Sequence, residues 1–138
     1  MQEAVDFFRQ NDQFARHAGI ELITARPGWA QVKMPIQTFH LNGAGTVHGG
    51  ALFTLADFAF AVASNSHGQL AMGINTSMSF IKAVSSGTLY GEAQELSLNR
   101  RLGNYQVKIT DAAQQLIALF QGTVYRKEES LFRQRDEI

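Results

Sequence analysis

One stretch constrains the fold more than any other: Gly50 to Ser64, reading GALFTLADFAFAVAS. Its length and its Ala- and Leu-rich make-up, with no glycine or proline after Gly50, favour helix over strand. It is apolar nearly all round and carries a single charge, Asp57. A helix of that kind is expected to be buried on every side, so the rest of the chain has to wrap it. After the turn signal His67-Gly68 everything reads as strand: residues 71–84, 88–100, 105–111 and 115–126. The third alternates Tyr105, Val107 and Ile109 with Gln106, Lys108 and Thr110, so one of its faces is wet. Successive strands with short connections predict an antiparallel meander.

Upstream, Pro27-Gly28 separates two alternating runs and predicts a hairpin. Residues 1–19 carry apolar positions at helical spacing and stop at Gly19, as one amphipathic helix or two short ones. Residues 38–50 form a glycine-rich loop holding Asn42, Gly43, Gly45, Gly49 and Gly50. Helix, hairpin, loop, apolar helix and four strands make an α+β domain in which an antiparallel sheet curls around one long helix. The open edges of such a sheet invite a second copy, so at least a dimer is expected. The 138 residues suit one domain, taken as 1–127, with a charged tail at 128–138.

Composition removes several function classes. Twelve basic residues balance twelve acidic ones, which leaves no basic footprint for nucleic acid. Without cysteine there are no disulfides, thiolate nucleophiles or cysteine metal sites. His17, His40, His48 and His67 show no metal-ligand spacing, so no metal is expected. The N-terminus does not read as a signal peptide, and the longest apolar stretch, Ala51 to Ala63, falls short of the ~20 residues of a membrane span. A cytoplasmic protein is the default expectation.

Asp57 is the informative residue. A carboxylate among Phe53, Thr54, Phe60 and Ala61 is costly unless it is hydrogen-bonded or opens on a cleft. Desolvation there would raise its pKa and suit it to proton handling. The bland alternative is an aspartate bonded to Thr54 with no chemistry. His48-Gly49-Gly50 stands at the start of the same helix, where unsatisfied N–H groups can hold a developing oxyanion. Eight residues separate Gly49 from Asp57, about 12 Å along the axis. If both act on one carbonyl, they come from two subunits with antiparallel helices, giving two equivalent sites per dimer. His48 could hydrogen-bond a carbonyl oxygen, orient the loop or simply cap the helix, and Asn42 could position water or an acyl carbonyl or simply form a turn. Lys82, Arg100, Arg101 and Lys108 are candidate phosphate-binding cations.

Asn42-Gly43, His48-Gly49-Gly50 and Leu55-Ala56-Asp57, with the aspartate nine residues after the histidine, resemble the PaaI-type hotdog thioesterases. The likeness takes in roughly residues 3–126, including LFTLADFAFAVASNSHG, INTSMSFIKA and ALFQGTVYR. The resemblance implies a hotdog fold and homodimers, often paired into homotetramers, with the site between subunits. It implies Asp57 as nucleophile or general base, Gly49 and Gly50 amides polarising a thioester carbonyl, and His48 and Asn42 as supporting polar groups. It also implies phenylacetyl-CoA-like aryl substrates of phenylacetic acid degradation, and no cofactor beyond the CoA of the substrate. Some relatives carry a hydroxyl one turn after the carboxylate. Here that residue is Ala61, so Thr54, Thr76 or Ser77 would have to position water, with Thr76, Ser77, Arg100 and Arg101 at the substrate. Acyl-CoA hydrolysis is the leading expectation. A non-catalytic acyl-CoA binder or sensor is the alternative, and a 3-hydroxyacyl thioester dehydratase using His48 and Asp57 is a third.

Overall fold

The computed structural model describes residues 2–132. Two short helices, α1 (Gln2–Asn11) and α2 (Gln13–His17), lead into the hairpin β1 (Glu21–Arg26) and β2 (Trp29–Pro35). A single 3-10 turn, Thr38–His40, opens the glycine loop, and α3 spans Gly49–Asn65. Then follow β3 (Gln69–Phe80), β4 (Thr88–Leu98), β5 (Leu102–Thr110) and β6 (Leu116–Ser130). The six strands form one antiparallel sheet in the order β1-β2-β4-β5-β6-β3. No described helix is long and apolar enough to cross a membrane.

Only β4, β5 and β6 run as the expected meander. The strand predicted over 71–84 stops at Phe80 and lies at the far edge, paired among the described residues to β6 alone. The reason is the helix before it. Between β2 and β3 the chain is spent crossing the concave face as α3, so β3 emerges on the opposite side of the sheet. Leu52, Leu55, Ala56, Ala59, Val62 and Ala63 are buried on the sheet side of α3, packed with Val32, Met34, Leu89, Val107, Ile109 and Phe120. Alanines at the contact let helix and sheet approach closely. Gly122 carries this furthest: a Cβ there would lie 2.7 Å from Cζ of Phe60. Gly122→Ala is therefore expected to cost about 1–3 kcal/mol, as overpacking does. It would read as a lowered denaturant midpoint at constant slope; an unchanged midpoint would mean the Phe60 ring has room to move.

Two expectations need correction. The helix is not buried on every side: Gly50, Phe53 and Asp57 are exposed, and Thr54 and Ala61 only partly covered. At helical spacing these residues make one open stripe. A single six-stranded sheet can cover only one side of a helix, and the stripe is what it leaves. The domain also runs past residue 127. β6 continues to Ser130, Leu131 is buried, and the Phe132 ring meets Phe7 edge-on at 5.9 Å. Apolar Leu131 closing over the core keeps 128–132 in the fold, despite their charged composition. The rest of the expected tail, 133–138, lies outside the described residues.

Candidate active site

The site begins with a loop that the sequence folds tightly on itself. Asn42 Oδ1 accepts from the N–H groups of Ala44 (2.9 Å) and Thr46 (3.1 Å), and its Nδ2 donates to Thr46 Oγ1 at 3.0 Å. This is the Asx-type self-bonding that favours Asn in turns. Gly45 follows with φ +79°, a left-handed position that glycine adopts without steric cost. Buried His40 anchors the loop from below. Its Nδ1 accepts from the Gln37 N–H at 2.9 Å, so Nε2 carries the proton and donates to Ala18 O at 2.6 Å. The His40 carbonyl then receives the His48 N–H at 2.7 Å, which fixes where α3 starts.

At that start, His48 is the N-cap: its Nδ1 accepts from the Gly50 N–H at 2.8 Å. The Gly50 amide is thus engaged by a side chain, whereas the Gly49 N–H has no partner among the described residues. Of the two amides expected to face a carbonyl, Gly49 keeps the capacity to do so. With Nδ1 accepting, the neutral His48 ring holds its proton on Nε2, a second donor at the positive end of α3. Phe80 lies against Gly49, where a Cβ would meet its ring at 3.2 Å. Asn42, Gly49, Phe80 and Lys82 together line a cleft of ≈ 350 Å³.

Asp57 stands two turns further along the open stripe. Its carboxylate has no hydrogen-bond partner among the described residues. Thr54, the expected structural partner, instead donates from Oγ1 to Gly50 O at 2.8 Å. Solvent reaches Asp57, yet enough protein crowds its carboxyl that desolvation raises the pKa above the usual carboxylate range. The charge of Asp12, which caps α2 through the Ala15 N–H at 3.0 Å, adds to that rise. Asp12 was invisible to periodicity because its reach to Asp57 is created by α1 and α2 folding over α3.

The other candidates scatter. Thr76 pairs with Gly122, whose missing Cβ faces Phe60, and so lies on the helix side of the sheet. Ser77 pairs with exposed Gln121 and lies on the outer face, away from α3. That alternation removes Ser77 from the water-positioning role expected for it. Arg100 pairs with Glu128 at 3.2 Å, and Arg101 donates to Tyr125 Oη at 2.7 Å, both beyond β4 and outside the Gly49 cleft. Lys108 sits on the wet face of β5, register partner of Glu92. Within one protomer, then, Asn42, Gly49 and Lys82 come together while Asp57 is held apart from them.

Residues 44–118 match the thioesterase superfamily. An Escherichia coli acyl-coenzyme A thioesterase, PaaI, is 37% identical over 118 residues, covering 85% of this chain and 84% of its own. A protein of Archaeoglobus fulgidus is 41% identical over 125 residues, 90% of this chain and 81% of its own. The solved structure of the E. coli PaaI protein, from the phenylacetic acid degradation operon, superposes with a TM-score of 0.90 at 33% identity over 94% of each chain. The chain belongs to the thioesterase superfamily, and its sheet wrapped around α3 is the hotdog fold.

Proposed function

We propose that this chain hydrolyses acyl-CoA thioesters at sites formed between two copies of itself, with Asp57 as the catalytic carboxylate. The observation that carries this reading is Asp57 itself: partly desolvated, without a hydrogen-bond partner among the described residues, and on a helix whose first amide likewise has none among them. The 37% identity to an acyl-CoA thioesterase supports the substrate class. In the reaction, Asp57 takes a proton from water as the hydroxide adds to the thioester carbonyl. The oxyanion accepts from Gly49 N–H and His48 Nε2–H, and collapse expels the CoA thiolate. Alternatively Asp57 Oδ attacks and an anhydride is hydrolysed in a second step. No cofactor enters either route.

Two features of β3 support the dimer. Among the described residues β3 is a twelve-residue edge strand bonded on one side only, and it exposes Met72, Ile74 and Phe80, with Ile81 just beyond. Edges that long and apolar are normally covered. Gly49 packs at the Phe80 end of β3, while Phe60 and Ala61 lie at the Gly73 end. If β3 pairs with its own copy antiparallel about Thr76, Phe80 of one protomer faces Met72 of the other. That brings the partner's Gly49 toward Asp57, which no single protomer can do. Pairing of two such dimers into a tetramer, a cytoplasmic setting where CoA thioesters are made, and an aryl acyl group belong to the same proposal.

The test is thiol release from phenylacetyl-, hydroxybenzoyl-, short- and medium-chain acyl-CoA. CoA release is expected, with kcat/KM rising with pH through an Asp57 pKa above the ordinary ~3.9, because the carboxylate form is the reactive one. Binding without turnover, or a rate flat across that range, would remove Asp57 from the chemistry.

A further inference from the structure

We infer that Asp12, the residue between α1 and α2, is a positioning residue for the reaction: it acts through Asp57, and its fixed negative charge sets the lower pH limit of turnover. The inference rests on the thioesterase reading above, in which the carboxylate form of Asp57 reacts. Asp12 reaches the site because the chain breaks there. α1 ends at Asn11, and Phe8 meets Phe58 edge-on at 6.4 Å between ring centres, which holds that end of α1 on α3. Asp12 follows at φ −82° and ψ 90°, starts α2 as its N-cap, and commits Oδ1 to the Ala15 N–H at 3.0 Å. Its other carboxylate oxygen has no hydrogen-bond partner among the described residues. Two cavities meet at this side chain, one with Ala61 in its α3 wall and the other with Phe58. Phe58 follows Asp57 directly and Ala61 follows it by one turn. The Asp12 carboxylate is thus pinned against the same stretch of α3 that carries the reacting one.

Among the described residues no ion pair cancels this charge, and the side chain is half-buried. Arg9 of α1, Arg16 of α2 and Glu21 of β1 share the Phe58 cavity with it. Arg9 spends its guanidinium on Leu22 O at 2.8 Å and Ile23 O at 3.1 Å, while Arg16 and His17 are exposed. The sheet brings no charge to the open stripe. Lys33, Glu92 and Lys108 alternate away from α3, and β3 carries no charged residue. Past the end of α3, Glu95 is bonded to His67 and Tyr105, and Arg126 to Asn99 O and Gln69 Oε1. His48 and Lys82 stand at the Gly49 end. Asp12 is therefore the like charge that adds to desolvation at Asp57. Two carboxylates in one cleft resist ionising together, so Asp57 ionises at higher pH and is the stronger base for it.

Two substitutions separate the charge from the cap. Asp12→Asn keeps an N-cap of similar quality and removes the charge. The acidic limb of its kcat/KM profile is expected to move to lower pH and its plateau to drop, because a less basic Asp57 ionises sooner but takes a proton from water less well. The wild-type and Asp12→Asn profiles should therefore cross. Asp12→Glu keeps the charge and disturbs the cap, so its acidic limb should stay at the wild-type position. A purely structural residue would reverse the pair, with Asp12→Asn like wild type and Asp12→Glu impaired through stability, and that result would overturn the inference. A third readout needs no turnover: the carboxyl-carbon NMR signal of Asp57, assigned by its absence from Asp57→Asn, followed against pH in wild-type and Asp12→Asn protein. The titration midpoint is expected to fall in the variant, and an unmoved midpoint would overturn the inference. A lowered midpoint together with no CoA release from any thioester would leave the charge coupling standing and sink the hydrolase reading alone.

Discussion

Replacing Asp57 by asparagine is expected to lower kcat by about 10²–10⁴-fold, the usual worth of a positioned acid or base, and to leave the fold no less stable. The two halves of that expectation come from the same geometry. The carboxylate makes no hydrogen bond among the described residues, so asparagine abandons no partner. Its raised pKa means that the folded chain binds this proton more readily than the unfolded one. The stability it contributes is therefore present below the unfolded pKa and lost as pH rises through the raised folded value. At neutral pH the charged carboxylate is a burden that Asp57→Asn removes, so the melting temperature should hold or rise. A structural aspartate would behave the other way, with stability lost and turnover falling only as the fold fails. Thermal melts beside steady-state kinetics separate the two cases.

Gly49→Pro is expected to cost about 10²–10³-fold in kcat, the usual loss for removing one oxyanion donor. Proline suits this position conformationally. Gly49 is the first residue of α3, where proline is well tolerated. His48 before it has φ −62° and ψ 138°, the extended conformation that a following proline requires. The substitution therefore deletes the one N–H at issue with little demand on the helix, although the exposed Phe80 ring must shift from its 3.2 Å approach. Circular dichroism should report an intact fold. Full activity in a folded Gly49→Pro protein would mean that the thioester oxygen is held elsewhere.

Much of this was legible from local pattern. The α3 run, the Pro27-Gly28 hairpin and the strand periods depend on neighbours in sequence, and all of them recur in the fold. The roughly 12 Å between Gly49 and Asp57 follows from helix rise alone, and it calls for a second chain if both act on one carbonyl. What pattern could not give was long-range. β3 moved to the far edge because α3 crosses the sheet, and Ser77 left the helix face through alternation set by its pairing with Gln121. The open stripe on α3 was hidden for a related reason. An apolar helix reads as buried whether its cover comes from its own sheet or from another protomer. His40 gave no signal either, since a buried loop anchor and an exposed histidine look alike in sequence. The Asn42 side chain, a candidate for touching substrate, is largely consumed by its own loop, as an Asn-Gly pair allows.

The central claim is that each site takes Asp57 from one chain and Gly49 from another, and subunit mixing tests it most directly. Asp57→Asn and Gly49→Pro proteins, each nearly inactive alone, would be co-refolded in equal amounts and assayed for thiol release. Half of the random dimers would be hybrids, each with one intact site of two, so about a quarter of wild-type activity should return. If no activity returns although native mass spectrometry shows the hybrids have formed, both groups serve a site within one chain, and the shared-site account is wrong.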